Sequence, residues 1–340
     1  MVGLRRLHPD DVYGHVNLRA YLGGAALGLR ACRHKLCVLL MLVSGFATVA
    51  CDKSNSTRQR NFDRPTSCAS HLQRAGGFPP DAKSPGWIIT AGGLSRLQQA
   101  GLPTFLMQKD FNQPRTILLV SHGRPDLLAP RASLAFDFTS AGALISALDR
   151  NLVPADVTYL LLDLERWPLT PLAEQRHPIG VLKEAISDAH AHGKCVIFTP
   201  ALDLVGAMHP GGPRSSINAS FERLIVRPGA SVSDVFEIQA QHTEGSPLAT
   251  SFAPEVIRVA RAVSSKEPVF VGLSTNPNGQ HVSALDLLEL YRASAAAGAS
   301  GYWLNIPIGG AECPKCGMPQ AHVAVEFLLA LGLSTAIGSL

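Results

Sequence analysis

From residue 157 onward the chain switches repeatedly between two hydrophobic periods. Short apolar runs at 157–165 (VTYLLLDLE), 195–201 (CVIFTPA), 235–241 (VFEIQAQ), 269–275 (VFVGLST) and 301–306 (GYWLNI) are each followed by a stretch with helical spacing. Those stretches lie near 179–192, 217–224, 253–264, 283–298 and 321–332. With Asp163, Thr199, Gln239, Ser274 and Asn305 as markers, the steps are 36, 40, 35 and 31 residues. Strand–helix repeats of this length predict parallel βαβ units. Further strand candidates lie upstream at 87–90, 104–108, 116–121 and 134–137. Five units plus about three upstream make the eight of a (β/α)8 TIM-like barrel, an α/β fold forming a single domain over residues 85–335. The competing doubly wound sheet usually carries a glycine-rich phosphate turn after its first strand. The sequence contains neither G-x-G-x-x-G nor a Walker A motif.

A strand sends successive side chains to opposite faces. Leu160, Leu162 and Leu164 therefore oppose Leu161, Asp163 and Glu165. Glu237, Gln239 and Gln241 share the face of Val235 and oppose Phe236, Ile238 and Ala240. Phe270, Gly272, Ser274 and Asn276 oppose Val269, Val271, Leu273 and Thr275, and Trp303 and Asn305 oppose Tyr302, Leu304 and Ile306. Thr199 and Asp203 share a face after Cys195. One face is oily and predicts burial under helices. The other turns polar toward the C-terminal end of each run, which is where a barrel has its mouth. Buried polar atoms are costly without partners, so five polar ends converging on one rim point to a binding or catalytic mouth.

The front of the chain reads differently. Residues 36–50 (LCVLLMLVSGFATVA) are a 15-residue run without charge, behind Arg33, His34 and Lys35. A spanning helix wants about 20 apolar residues, so this run matches the core of an export signal. It ends in Thr48-Val49-Ala50-Cys51, which resembles a bacterial lipobox, with Thr48 where that pattern prefers Leu, Val or Ile. The resemblance implies lipidation at Cys51, a signal/lipoprotein segment over 1–51, and an extracytoplasmic protein that is either held at the membrane by that lipid or secreted. Residues 52–84 are polar and rich in Pro and Gly, which predicts a flexible tether. The net charge of +4 belongs to the front: six basic and two acidic residues precede Asp52, leaving 24 of each sign. A balanced body without a basic run gives no footprint for nucleic acid, and no such partner is expected.

Asp163 and Glu165 are the sharpest chemical candidates. They stand two apart on one strand face, at its C-terminal end. Two close carboxylates raise one pKa, so that one group stays protonated near neutrality, as a general acid for glycosidic cleavage must. Glu165 is the expected proton donor, with Asp163 orienting or tuning it. Trp303 and Trp167 are candidate sugar platforms. Glu237, Gln239, Gln241, Asn276 and Asn305 are candidates for hydrogen bonds to the ligand, and Asp203 and Asp137 are further carboxylates at strand ends. The stretches DLERWPLTP, EQRHPIG, TPALDL, FEIQAQ, GLSTNP and GYWLNIP are similar to uncharacterised secreted proteins of actinobacterial type, over roughly residues 87–332. That resemblance implies export and a barrel-like fold. A looser one is to chitinase-type glycoside hydrolases, whose fourth strand ends in D-x-x-D-x-D-x-E and whose last strand carries a Trp. Asp163, Glu165 and Trp303 match, while Thr158 and Leu161 stand at the two earlier Asp positions. The expectation is an exported glycoside-hydrolase-like protein acting on a polysaccharide or glycan. The alternative is a non-catalytic lipoprotein that binds a carbohydrate or another small molecule on the same barrel.

Other signatures are absent. There is no G-x-S-x-G elbow and no H-E-x-x-H, and no metal or cofactor is expected. Cys313 and Cys316 have the spacing of half a zinc ribbon, but no second C-x-x-C completes it. In an exported protein they read as a local disulfide clamping the loop after the last strand. Cys195 opens an apolar run and reads as a buried free thiol. His122 closes the run at 116–121, and both the mouth and solvent are open to it.

Overall fold

The computed structural model describes residues 68, 78, 85–121, 129–212, 216–310 and 313–337, with side chains described up to 332. Cys51, most of the expected tether and His122 lie outside the described residues. Eight parallel strands close into a barrel in chain order: β1 (Gly86–Thr90), β2 (Thr116–Leu119), β3 (Ser133–Phe138), β4 (Val157–Leu164), β5 (Cys195–Pro200), β6 (Val235–Ile238), β7 (Val269–Ser274) and β8 (Gly301–Asn305). β8 pairs back onto β1, Trp87 opposite Tyr302. The main helices are α1 (Ala91–Gln99), α2 (Ala141–Asp149), α3 (Pro178–Ala191), α4 (Phe252–Val263), α5 (Ala284–Ala296) and α6 (Ala321–Ile337). Between β5 and β6 the helical path runs through Ile217–Phe221, Glu222–Val226 and Arg227–Ala230. No helix among the described residues is long and apolar enough to cross a membrane.

Local chemistry sets where the helices begin. The Thr90 hydroxyl accepts the Gly93 amide at 2.8 Å and starts α1 directly off β1. Ser283 and Asp286 form a reciprocal capping box at α5. Pro178 opens α3, where a missing amide costs nothing. The run at 104–108 departs from its expected strand. It follows Pro103 and coils as Thr104–Leu106 and Met107–Phe111, burying Leu106, Met107 and Phe111. Those spacings of one and four are helical, and the short run alone did not separate them from a strand.

Strand parity divides the core in two. Leu160, Leu162, Leu164, Phe236, Ile238, Val271, Leu273 and Tyr302 join the cluster that also holds Leu182, Ile186, Val256 and Leu287 of the helices. Ile88, Ile117, Leu119, Tyr159, Leu161, Ile197, Val235, Phe270 and Trp303 form a second, inner cluster. Cys68 and Phe78, both within the segment expected as a tether, belong to that inner cluster and are buried. Phe78 meets Phe270 edge to face, with ring centroids 5.2 Å apart. Cys68 is bonded to Cys195, the first residue of β5, so Cys195 is a disulfide half and not a free thiol. The first residues of β1 and β8 make room for this floor. A Cβ at Gly86 would come within 2.8 Å of the Phe78 ring, and one at Gly301 would come within 2.6 Å of the Gly86 carbonyl oxygen. The barrel is therefore oily and closed at its N-terminal end, which leaves the C-terminal end for polar groups.

Candidate functional site

The inward parity carries polar side chains at and just past the ends of several strands. Asp137 comes from β3, Asp163 and Glu165 from β4 and the residue after it, and Thr199 from β5. Glu237, Gln239 and Gln241 come from β6 and its continuation, Ser274 from β7, and Trp303 and Asn305 from β8. Register holds neighbours side by side: Asp163 lies opposite Thr199, Gly272 opposite Trp303, and Ser274 opposite Asn305.

Asp163 is the hub. Its Oδ1 accepts from the Thr199 hydroxyl at 3.2 Å and from Gln239 Nε2 at 2.6 Å. Gln239 Nε2 also donates to the Thr199 carbonyl at 3.0 Å, so one amide ties β4, β5 and β6 together. Burial pushes the Asp163 carboxyl well above the usual carboxylate range, and the charges of Glu165, Asp137 and Glu237 push it further. The Thr199 hydroxyl pulls it back. Glu237 is fully buried, and neither of its carboxyl oxygens has a hydrogen-bond partner. Burial, then the charge of Glu165, raises it well above its ordinary value.

Beside this hub is a group rich in acceptors. A Cβ at Gly272 would fall on Gln241 Oε1 and within 2.8 Å of Glu237 Oε1, so both side chains reach across to β7 and occupy the space that glycine leaves. Gln241 Oε1 is buried without a partner, as are Ser274 Oγ and Trp303 Nε1. Glu244 reaches the same strand end. Its Oε1 accepts the Ser274 amide at 2.6 Å, while its Oε2 has no partner. Burial raises its pKa well above the ordinary value, partly offset by the Ser274 amide. With Glu237 and Glu244 ionised, four orphaned acceptor atoms would stand against two orphaned groups able to donate, the Ser274 hydroxyl and the Trp303 N–H; held neutral, each carboxyl brings an O–H of its own.

The structure groups Asp163, Glu165, Glu237 and Gln239 by contact and charge, with Gln241 and Trp303 around Gly272. Asn305 is half-buried at the end of β8, its carbonyl accepting the Thr275 amide at 3.1 Å. Three other candidates are committed elsewhere. Trp167 turns back into its own loop, where its Nε1 donates to Thr170 Oγ1 at 2.8 Å, so it is not a free platform. Asn276 Nδ2 donates to the Cys316 carbonyl at 2.8 Å and anchors the loop that the Cys313–Cys316 disulfide closes. Asp203 lies past the end of β5, where strand parity no longer applies. It is exposed and accepts the Arg166 amide at 3.0 Å.

Thr199, Ser274, Glu244 and Gly272 are site residues that the sequence reading did not assign. Thr199 and Ser274 carry the parity signal. Glu244 lies in irregular chain after β6, where no period exists to point it inward. Among the described residues, one group of three metal-ligand types gathers closely: Cys68, Cys195 and Asp234, with ligand atoms within 4.8 Å. Both sulfurs are in the disulfide, and Asp234 Oδ2 is engaged by the Val196 amide at 2.8 Å and by His190 Nε2 at 2.9 Å.

No family model and no curated protein matches the chain, so neither the actinobacterial nor the chitinase-type resemblance gains support there. Among solved structures, the chain is similar to the carboxyl transferase domain of Rhizobium etli pyruvate carboxylase. With pyruvate and biocytin bound, that domain gives a TM-score of 0.43 at 9% identity, over 67% of this chain and 40% of the other. With pyruvate it gives 0.42 at 10% identity, over 80% and 52%. The chain thus spans between 40% and 52% of the length of these neighbours. They are carboxyl transferase domains, with no glycoside hydrolase between the two. The expectation of a glycoside hydrolase is corrected on the geometry of the site itself. Trp167 is hydrogen-bonded into its loop, Trp303 is 6% exposed within the inner core, Asp163 is buried and Glu237 is wholly so.

Proposed function

We propose that the barrel mouth binds a small solute bearing an amine or guanidinium group, and that binding exchanges carboxyl protons for the ligand's cation. Glu237 carries this reading: a fully buried carboxyl with two orphaned oxygens, near Asp163 and beside Gln241, in a region that lacks donors once its carboxyls ionise. A cationic group brings several N–H donors and favours the ionised carboxylates that burial otherwise suppresses. Two disulfides among the described residues support placing the protein in an oxidising, extracytoplasmic compartment. The lipobox-like end at Cys51 supports a lipid anchor there.

Titration calorimetry of the full-length protein in mild detergent tests the ligand class. Glucosamine, putrescine and arginine methyl ester are compared with glucose and 1,4-butanediol, each in two buffers of different ionisation enthalpy. The expected result is saturable binding of at least one cation, release of about one proton per carboxyl ionised, and loss of that release in Glu237→Gln. Binding of the neutral counterparts alone, or cation binding that Glu237→Gln leaves intact, overturns the reading. Membrane fractionation of Cys51→Ala tests the anchor, with a shift to the soluble fraction expected.

A further inference from the structure

Beyond the acidic residues, the loops that leave β4 and β5 line an open cavity of about 540 Å³. Arg166 and Arg223 both line it. Arg166 is the residue after Glu165, and Arg223 lies in the helical path that follows β5. Both are exposed, and among the described residues no ion pair or side-chain hydrogen bond engages either guanidinium. Arg166 is laid against the short helix Leu204–Met208, and a Cβ at Gly206 would come within 3.0 Å of its Nη1. His209 and Ser220 add polar side chains to the wall. At Gly211 the backbone has φ +85° with nothing within 4 Å of where a Cβ would stand, so this stretch of wall turns tightly and carries no side chain. The lining holds one acid, Asp203.

We propose that this cavity is a binding site for a tetrahedral oxyanion, the phosphoryl or sulfuryl group of a small solute. A guanidinium donates two parallel hydrogen bonds to such an oxyanion, and two arginines against one aspartate leave the wall positive. The inference is independent of the amine reading. The two sites have opposite charge and meet at consecutive residues, Glu165 and Arg166.

The test titrates the full-length protein with inorganic phosphate and with sulfate at constant ionic strength, using acetate and chloride as controls. Calorimetry and thermal shift are the readouts. Saturable binding of phosphate, sulfate or both is expected, and the preference between them identifies the group. Arg166→Gln and Arg223→Gln should each weaken it about tenfold or more. Asp203→Asn, which removes the one opposing charge, should tighten it. Arg131→Gln, an exposed arginine outside the cavity, should leave it unchanged. Both cavity arginines are exposed, so their variants should fold, and Arg223→Lys, which keeps the charge without the fork, should bind more weakly than wild type. No saturable binding, equal binding by acetate, or equal weakening in Arg131→Gln overturns the proposal. Amine uptake and oxyanion binding are measured separately, so failure of one is distinguishable from failure of the other.

Discussion

Glutamine in place of Glu237 makes the buried carboxyl permanently neutral at nearly constant shape. In the unfolded chain Glu237 loses its proton near its ordinary value of 4.5. In the folded protein burial and the charge of Glu165 hold the proton on to well above that. Between those two values the folded state binds one more proton than the unfolded state. Stability from this group is therefore fully present below the unfolded value and is lost as the pH rises toward the folded one. The slope is about 1.4 kcal/mol per pH unit for one proton. Asp163 and Glu244 are shifted in the same direction and add similar slopes in both proteins, and while Glu237 keeps its proton it exerts no charge on Asp163, so these slopes cancel in the difference. The stability of Glu237→Gln minus that of wild type should then climb by about 1.4 kcal/mol per pH unit from pH ~4.5 upward. Urea unfolding at half-unit steps from about pH 4 to pH 7.5, with a common m-value, measures that difference directly. A difference that stays flat with pH would refute the claim that Glu237 is buried with its proton.

Three further perturbations follow from single contacts. Cys68→Ser opens a crosslink between residues 127 apart in sequence and should cost about 2–5 kcal/mol; wild type unfolded under a reductant should lose at least as much, and an unchanged guanidinium midpoint would show the floor is not held there. Glu174 accepts the Ala141 amide at 2.7 Å, the Gly142 amide at 3.1 Å and the Ser140 hydroxyl at 2.9 Å. Glu174→Ala should thus strip the start of α2 at about 1–2 kcal/mol, measured by denaturant unfolding, while Glu174→Gln keeps part of the cap. Gly301→Ala pushes a methyl to within 2.6 Å of the Gly86 carbonyl and into the Phe270 ring, and should lower stability by about 1–3 kcal/mol or more in thermal unfolding.

The barrel was legible because strand parity and βαβ spacing are carried by many residues at once. Leu160, Leu162 and Leu164 face the helices, while Leu161 and Asp163 face inward, as a period of two requires. The limits of the reading fall where that period stops. Asp203 shares the parity of Thr199 but lies three residues past the end of β5, so its direction is set by the loop and not by the pleat. Asn276 is likewise beyond β7, and the Cys316 carbonyl claims its amide. Trp167 is turned by the hydroxyl of Thr170, a local bond with no periodic signature. The pairing of Cys68 with Cys195 joins a Pro/Gly-rich stretch to a strand 127 residues away, and nothing in the spacing of either cysteine announces it.

The orphaned acceptors at the mouth give a way to tell a binding site from a flaw in packing. Each buried polar group left without a partner costs about 1–3 kcal/mol, and the dry floor built by Phe78, Phe270 and Cys68 bars relief from below. Donors can reach Glu237 and Gln241 only from the C-terminal end, which is the route a ligand would take. If the group exists for binding, the same atoms that destabilise the free protein supply the ligand's affinity. Glu237→Gln should then gain stability at neutral pH and lose cation binding together, and added ligand should raise the unfolding temperature of wild type more than that of the variant. If the acceptors are merely tolerated, the variant gains stability and nothing else changes. Unfolding curves of both proteins with and without the best-binding amine, at one pH near neutrality, separate these outcomes: equal ligand-induced shifts would mean that Glu237 has no part in recognition.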